Sequence, residues 1–388
     1  MGLVTVPELG ELVVLPFHPE APFSEVLEWK TDVINSHNGT ESRYRTRNAP
    51  RQAFSMRCPI PPEFNARAVN TAYGGRARRS WGIPVWTEAQ PVGSVSFGAT
   101  SIDLDTTNRD FRPDSLALLW SSPGTWRVVR VDEVTANSIT LKEEVGLTLH
   151  GAHAMPLRVG RLRSNISRAT NGYRTALSFT QEVEDNIVLA YDAPTQYEGH
   201  DIYFDENLFD GDGHTQEITS RVDVIDYETG KVQQFAPWTF NRQAYPYRKV
   251  LDGLAEVLAF KKWLHRRAGK LRPFWLPTFE NNVRLSMTGM VEASILFHND
   301  AYLPLGDDHT HIAIETKSGQ WYARTITETS GTGNFRTAQL DSAVNVLASD
   351  IRRVSFLGLH RLDTDRVELS WQGGGVCVSE FRIIEVQP

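Results

Sequence analysis

The chain has 388 residues, of which 40% are hydrophobic and 22% charged. That composition suits two to four soluble globular domains and excludes a disordered polymer. The net charge of −7 excludes a global attraction to nucleic acid, and two cysteines in unrelated contexts, Cys58 and Cys377, exclude a disulfide scaffold.

The N-terminus lacks the basic start and apolar core of a signal peptide. Met1-Gly2 does not open a myristoylation motif, because Val6 stands where Ser or Thr is required. No apolar run is long enough to span a membrane. A protein made and folded in the cytoplasm is expected.

Val13-Val14-Leu15 reads as a first short strand. Asp32-Val33-Ile34, Gly39 and Arg51-Gln52-Ala53 then read as a strand pair. An ion pair between Asp32 and Arg51 would pin its register. Pro62 to Ala72 reads as a helix with Phe64, Ala68 and Val69 inward and Gly74-Gly75 as its stop. Basic residues Arg76, Arg78 and Arg79 follow, as at a helix C-terminus. Trp81 to Glu88 is an aromatic- and proline-rich strand that includes Trp86. Val95 to Leu104, Leu116 to Trp120, Trp126 to Val131 and Ser138 to Leu141 are strands separated by turn residues, the pattern of a small antiparallel barrel or sandwich.

The acidic, glycine-bearing stretch Phe204 to His214 reads as a mobile loop. Asp223-Val224-Ile225, Gly230 and Arg242-Gln243-Ala244 form a second strand pair, with Asp223 and Arg242 as its register pair. From Lys249 to Ala268, Leu251, Leu254, Val257, Leu258 and Leu264 mark one helical face, and His265, Arg266, Arg267 and Gly269 end it. Phe274 to Glu280, which includes Trp275, is again aromatic and proline-rich. His311 to Thr316, Trp321 to Thr327, Phe335 to Leu340, Arg353 to Leu357, Val367 to Trp371 and Val376 to Glu385 read as strands.

The second half echoes the first. Asp32/Asp223, Gly39/Gly230 and Arg51/Arg242 are each 191 positions apart (223 minus 32, 230 minus 39, 242 minus 51). Trp126/Trp321 and Glu133/Glu328 are 195 apart (321 minus 126, 328 minus 133). Gly160 is aligned with Gly358, and Phe179 with Phe381. The expected fold is mainly β with a few helices (α+β), in two tandem pseudo-repeats. Each repeat holds a strand-pair and helix ring domain (1–88, then 189–282) and a small antiparallel β-barrel or sandwich (89–188, then 283–388). Duplicated units offer similar surfaces to neighbours, which favours an assembly part over a single catalytic cleft.

Few residue patterns in the chain point to chemistry. Asp205, Glu206, Asp210, Asp212 and His214 miss the spacing of a calcium-binding EF-hand. Asp307, Asp308, His309 and His311 lack an evident further fixed ligand. There is no phosphate loop, nucleophile elbow or paired-cysteine zinc spacing. No catalytic residue, cofactor or metal is expected.

Several segments resemble a known family. Trp29-Lys30-Thr31-Asp32-Val33 with Gly39, Glu41, Arg43 and Arg47-Asn48-Ala49-Pro50-Arg51 resembles the start of minor tail proteins of long-tailed bacteriophages. So do Pro84-Val85-Trp86, Leu104-Asp105-Thr106-Thr107 with Asp110-Phe111-Arg112, and Leu362-Asp363-Thr364-Asp365. The helix ending Arg267-Ala268-Gly269 before Pro273-Phe274-Trp275 resembles the same segment in distal-tail proteins. The resemblance implies a non-enzymatic hub or adaptor in the virion tail tip, assembled in the host cytoplasm. It implies a ring of six, or a trimer of a duplicated unit with pseudo-sixfold symmetry, between the tail tube and the distal tip or fibre proteins. The trimeric hub is preferred, the hexameric distal tail protein second. Expected partners are further copies of itself, the tail tube protein, the tape measure protein and the distal tip, without sequence-specific nucleic acid. Ring contacts are expected at 31–51 and 222–242. Trp29, Trp86, Trp126, Trp275 and Trp321 are candidate core or interface aromatics. A virion carbohydrate-binding module, stacking sugars on residues such as Trp120, Trp126 and Trp321, is the rival reading.

Overall fold

The computed structural model describes every residue except 1–2, 7–9, 75–79, 173, 192–193, 207–214, 239–240, 300–308, 332 and 388. The predicted basic residues Arg76, Arg78 and Arg79, most of the 204–214 loop, and Asp307 and Asp308 therefore lie outside the described residues. The fold is mainly β, with two α-helices among the described residues: α1 (Asn65–Gly74) and α2 (Gly253–Arg267).

The first half is organised by one long strand, Arg51–Ile60, whose residues alternate between faces. Phe54, Met56, Cys58 and Ile60 point into an apolar core shared with Trp81, Ile83, Leu118, Leu157 and Phe179. Reading across the sheet, Gly10–Val14 runs parallel to Ser80–Pro84. Then follow, all antiparallel, Leu149–Leu162, Arg174–Val183, Arg51–Ile60 and Phe23–Glu28. Ser167–Asn171 folds back on Arg174–Val183 as a side hairpin.

The strands of the second half pair in the same order. His200–Ile202 runs parallel to Phe274–Pro277, followed by Ile351–Leu362, Val376–Glu385, Arg242–Asp252 and Glu217–Thr219. Arg366–Gly373 is the matching side hairpin. The registers correspond too. Val26 faces Ala53, which faces Glu182; Glu217 faces Ala244, which faces Ile384. Asp32 faces Tyr44 and Asp223 faces Phe235, each pair offset from the other by 191 (223 minus 32, 235 minus 44). Gly39 and Gly230 occupy the corresponding turns with φ of 90° and 81°, a left-handed backbone that glycine takes without steric penalty. Phe179 and Phe381 also coincide, facing Met56 and Tyr247.

Each half carries a smaller β module with its own core. Leu116–Ser122, Thr125–Val134, Ser138–Leu141 and Ser101–Asp103 pair in that order around Val131, Ile139 and Leu149. His311–Thr316, Trp321–Ser330, Phe335–Leu340 and Ser294–His298 do the same around Ile295, Ile314 and Val354.

Three sequence expectations are corrected. Residues Lys249 to Asp252 finish the Arg242–Asp252 strand, so α2 starts only at Gly253, whose φ of 82° turns the chain out of the sheet. Val95 to Leu104 is not one strand. It divides at Gly98 (φ 82°) into Gln90–Val95 and Ser101–Asp103. The partner of Gly160 by register is His360 and not Gly358, because Trp81 faces Gly160 while Phe274 faces His360. Gly160 is demanded locally: a Cβ there would meet the Glu182 carbonyl oxygen and the Ile83 side chain.

Candidate assembly interface

The two halves meet through one strand of the first. Phe23–Glu28 pairs on one edge with Arg51–Ile60 of its own half and on the other with Arg366–Gly373 of the second. Leu27 faces Val367, and both are buried in the second half's core beside Val257, Leu264 and Phe381 of α2 and its sheet. Trp29, at the end of that strand, packs into the same core edge-on to His265.

Glu25 lies in the middle of this junction and is fully buried. Its carboxylate accepts from Lys261 Nζ of α2 (2.7 Å), Gln52 Nε2 (2.7 Å) and Trp371 Nε1 (3.3 Å). A buried charge is tolerable only with such partners. Burial alone would lower the Lys261 ammonium pKa, but the Glu25 and Glu88 carboxylates outweigh it and raise the pKa above the ordinary lysine value. Burial pushes the neighbouring Glu88 carboxyl up to about 7, and its Oε2 accepts from the Asp110 amide.

A second lock is the hairpin Thr31–Asn35/Glu41–Arg45. It reaches across to the second half, where Arg242 donates to the Gly39 carbonyl. Glu41, 2% exposed, accepts from Arg242 Nη1 (2.9 Å) and takes Arg361 through Nε (2.7 Å) and Nη2 (3.0 Å). A planar two-point arginine–carboxylate contact is among the strongest polar contacts available. Burial would raise the Glu41 carboxyl, but Arg361, then Arg242 and Arg43, hold it below the usual carboxylate value. A third lock is Asp365, whose carboxylate accepts from the Thr31 amide (2.7 Å) and the Lys270 amide (3.0 Å). Gly269 fits there because a Cβ would sit 3.0 Å from Trp29 Cβ and against Asp365.

The register pairs proposed from sequence do not form. Arg51 contacts Glu182 (3.4 Å) and Arg242 contacts Glu41. Asp32 lies opposite Tyr44, and Asp223 contacts Arg221 (3.3 Å) with His37 at 4.0 Å. The reason is topological. Each hairpin closes before its arginine, which opens the next strand and reaches a different surface. Glu25, Lys261 and Arg361 carry the junction unseen by sequence reasoning, and Asp365, quoted there only within a resemblance, joins them. The one available signal was a carboxylate, Glu25, beside two residues of an apolar strand.

The tryptophans are mostly structural. Trp86 is buried against Trp120, Trp275 is buried with Nε1 donating to the Tyr197 carbonyl, and Trp126 packs half-buried on the first core. Trp321 is half-buried and stacks on Phe204 at 4.9 Å. Asp205 and Glu206 are engaged by Lys249 (2.6 Å) and Arg353 (3.0 Å), and His309 stacks on Phe356. Among the described residues no group of three or more His, Cys, Asp and Glu is placed to hold a metal ion. Among the described residues no helix is long and apolar enough to cross a membrane.

Among the described residues, the second half also presents as open surfaces the strand and hairpin that the first half uses. Glu217–Thr219 pairs on one edge only among the described residues, and Ile218 is 65% exposed. The hairpin Asp223–Asp226/Val232–Phe235 exposes Val224, Ile225, Val232 and Phe235. On the first half, Ser167–Asn171 is exposed along its length and pairs only with Arg174–Val183 among the described residues. Open strand edges and contiguous apolar patches of this kind mark association surfaces. Neither a protein-family model nor a curated protein matches this chain.

Proposed function

We propose that this chain is a structural component of a bacteriophage tail tip, a hub or adaptor ring that joins the tail tube to distal tip or receptor-binding proteins. Its two halves are copies of one unit, and three chains form a ring of six similar units. The observation that carries this reading is the junction inside the chain. The Phe23–Glu28 strand and the 31–45 hairpin of the first half are seated on the second, while the corresponding strand and hairpin of the second half are open among the described residues. A chain with one junction satisfied and one pair of complementary surfaces left over builds head-to-tail assemblies, and closure yields a ring.

The resemblance of 29–51 and 362–365 to tail proteins supplies the setting. A hexameric distal tail ring differs in copy number. It would require the strand geometry of the in-chain junction to differ from that between chains. The carbohydrate-binding reading loses its main support, because Trp126 and Trp321 pack against neighbouring side chains. Native mass spectrometry of the purified chain tests the proposal. Three copies are expected, six would favour the distal-tail ring, and a monomer at high concentration would overturn both.

A further inference from the structure

We propose that the Glu217–Thr219 strand of one chain adds antiparallel to the Ser167–Asn171 hairpin of a second copy, with Glu217 facing Ser167, Ile218 facing Ile166 and Thr219 facing Asn165. This deepens the ring reading above and rests on it. The register follows from the junction already formed within the chain. There Val26 faces Glu368, Leu27 faces Val367 and Glu28 faces Arg366. By ladder position Val26 corresponds to Glu217, since they face Ala53 and Ala244, 191 apart (244 minus 53). Likewise Ser167 corresponds to Glu368, since they face Ser178 and Glu380 next to the matched Phe179 and Phe381.

The side chains at the two open edges suit one another. Ile166 already packs on the first half's core, as Val367 packs on the second's. Ile218 stands 65% exposed where its counterpart Leu27 is 2% exposed. Seated beside Ile166, it would be covered as Leu27 is. The charges have been exchanged consistently. Glu25, which needs Lys261, is replaced by Gln216, which contacts Gln243 just as Glu25 contacts Gln52. Glu41, which needs Arg242 and Arg361, is replaced by Val232, 56% exposed. The surface Val232 would meet no longer asks for a carboxylate, because Arg51 and Arg161, the counterparts of Arg242 and Arg361, are already served by Glu182 of their own half. A junction that forms between separate chains thereby avoids stranding a buried charge on the free subunit.

Facing residues of an antiparallel pair lie within disulfide reach, and Cys58 and Cys377 are buried. The test is the double variant Glu217→Cys/Ser167→Cys, oxidised and run on a non-reducing gel, with Glu217→Cys/Ala169→Cys as the pair two residues out of register. The expected result is at least tenfold more covalent oligomer from the first pair than from the second, with light scattering showing assembled protein in both. Assembled protein without that preference overturns the strand pairing and leaves the ring reading standing. Protein that stays monomeric in wild type and variants alike overturns the pairing together with the ring.

Discussion

The junction inside the chain buries two carboxylates with their cations, whereas the surfaces left open among the described residues have an amide and an aliphatic side chain at those two places. Glu25 and Glu41 are buried carboxylates that each draw cations from the opposite half. At the corresponding places the second half has Gln216 and Val232. In the proposed ring, the difference follows from when each contact forms. Parts of one chain fold together, so a carboxylate and its arginines are never apart in the native state. Parts of different chains spend time separated, and a site built for a buried ion pair would leave one partner stranded.

The largest effect should come from breaking the charged side of this comparison. Glu41→Ala leaves Arg242 and Arg361 facing each other in a buried site, and a loss of about 3–5 kcal/mol of stability is expected in urea unfolding. Val232→Ala, at the matching position, should leave monomer stability within about 0.5 kcal/mol while weakening self-association measured by sedimentation.

Next in size is a pH effect at the junction. Glu88 has its folded pKa raised to about 7 by burial, against an ordinary value of 4.5. A carboxyl so shifted favours the native state when protonated, so its contribution is present below about 4.5 and is lost as pH rises towards 7. The loss corresponds to about 3 kcal/mol at roughly 1.4 kcal/mol per unit. Glu88→Gln, which keeps an acceptor for the Asp110 amide, should be more stable than wild type at pH 8 and should lose this part of the pH dependence. Equal pH profiles in the two proteins would remove Glu88 from the account.

A smaller effect sharpens the comparison between the paired arginines. Arg51 is 46% exposed and shares Glu182 with Arg161 and Arg163. Its replacement by Ala should cost under about 1 kcal/mol. Arg242→Ala should cost several times as much, because Arg242 and Glu41 are both buried. Similar losses in the two variants would mean that the two sites are energetically alike.

Much of the local structure was legible in the sequence. The apolar spacing through Leu254, Val257, Leu258 and Leu264 marks α2, and the strand pairs around Gly39 and Gly230 are where the turn residues place them. The equal offsets of Asp32/Asp223 and Trp126/Trp321 recur as equal ladder positions. What was not legible is long-range. Nothing local tells Phe23–Glu28 that its second neighbour is Arg366–Gly373, more than three hundred residues away. The Asp32–Arg51 and Asp223–Arg242 pairs failed for the same reason. Opposite charges near in sequence look like partners, yet each arginine is drawn to a carboxylate brought in by topology.

The most direct test of the central claim is an averaged electron-microscopy image of the purified particle viewed along its axis, with a mass measurement on the same sample. The account predicts three chains and six similar lobes around a ring, with alternating in-chain and between-chain junctions. A particle of any other copy number, or an open chain of subunits that never closes, would contradict it.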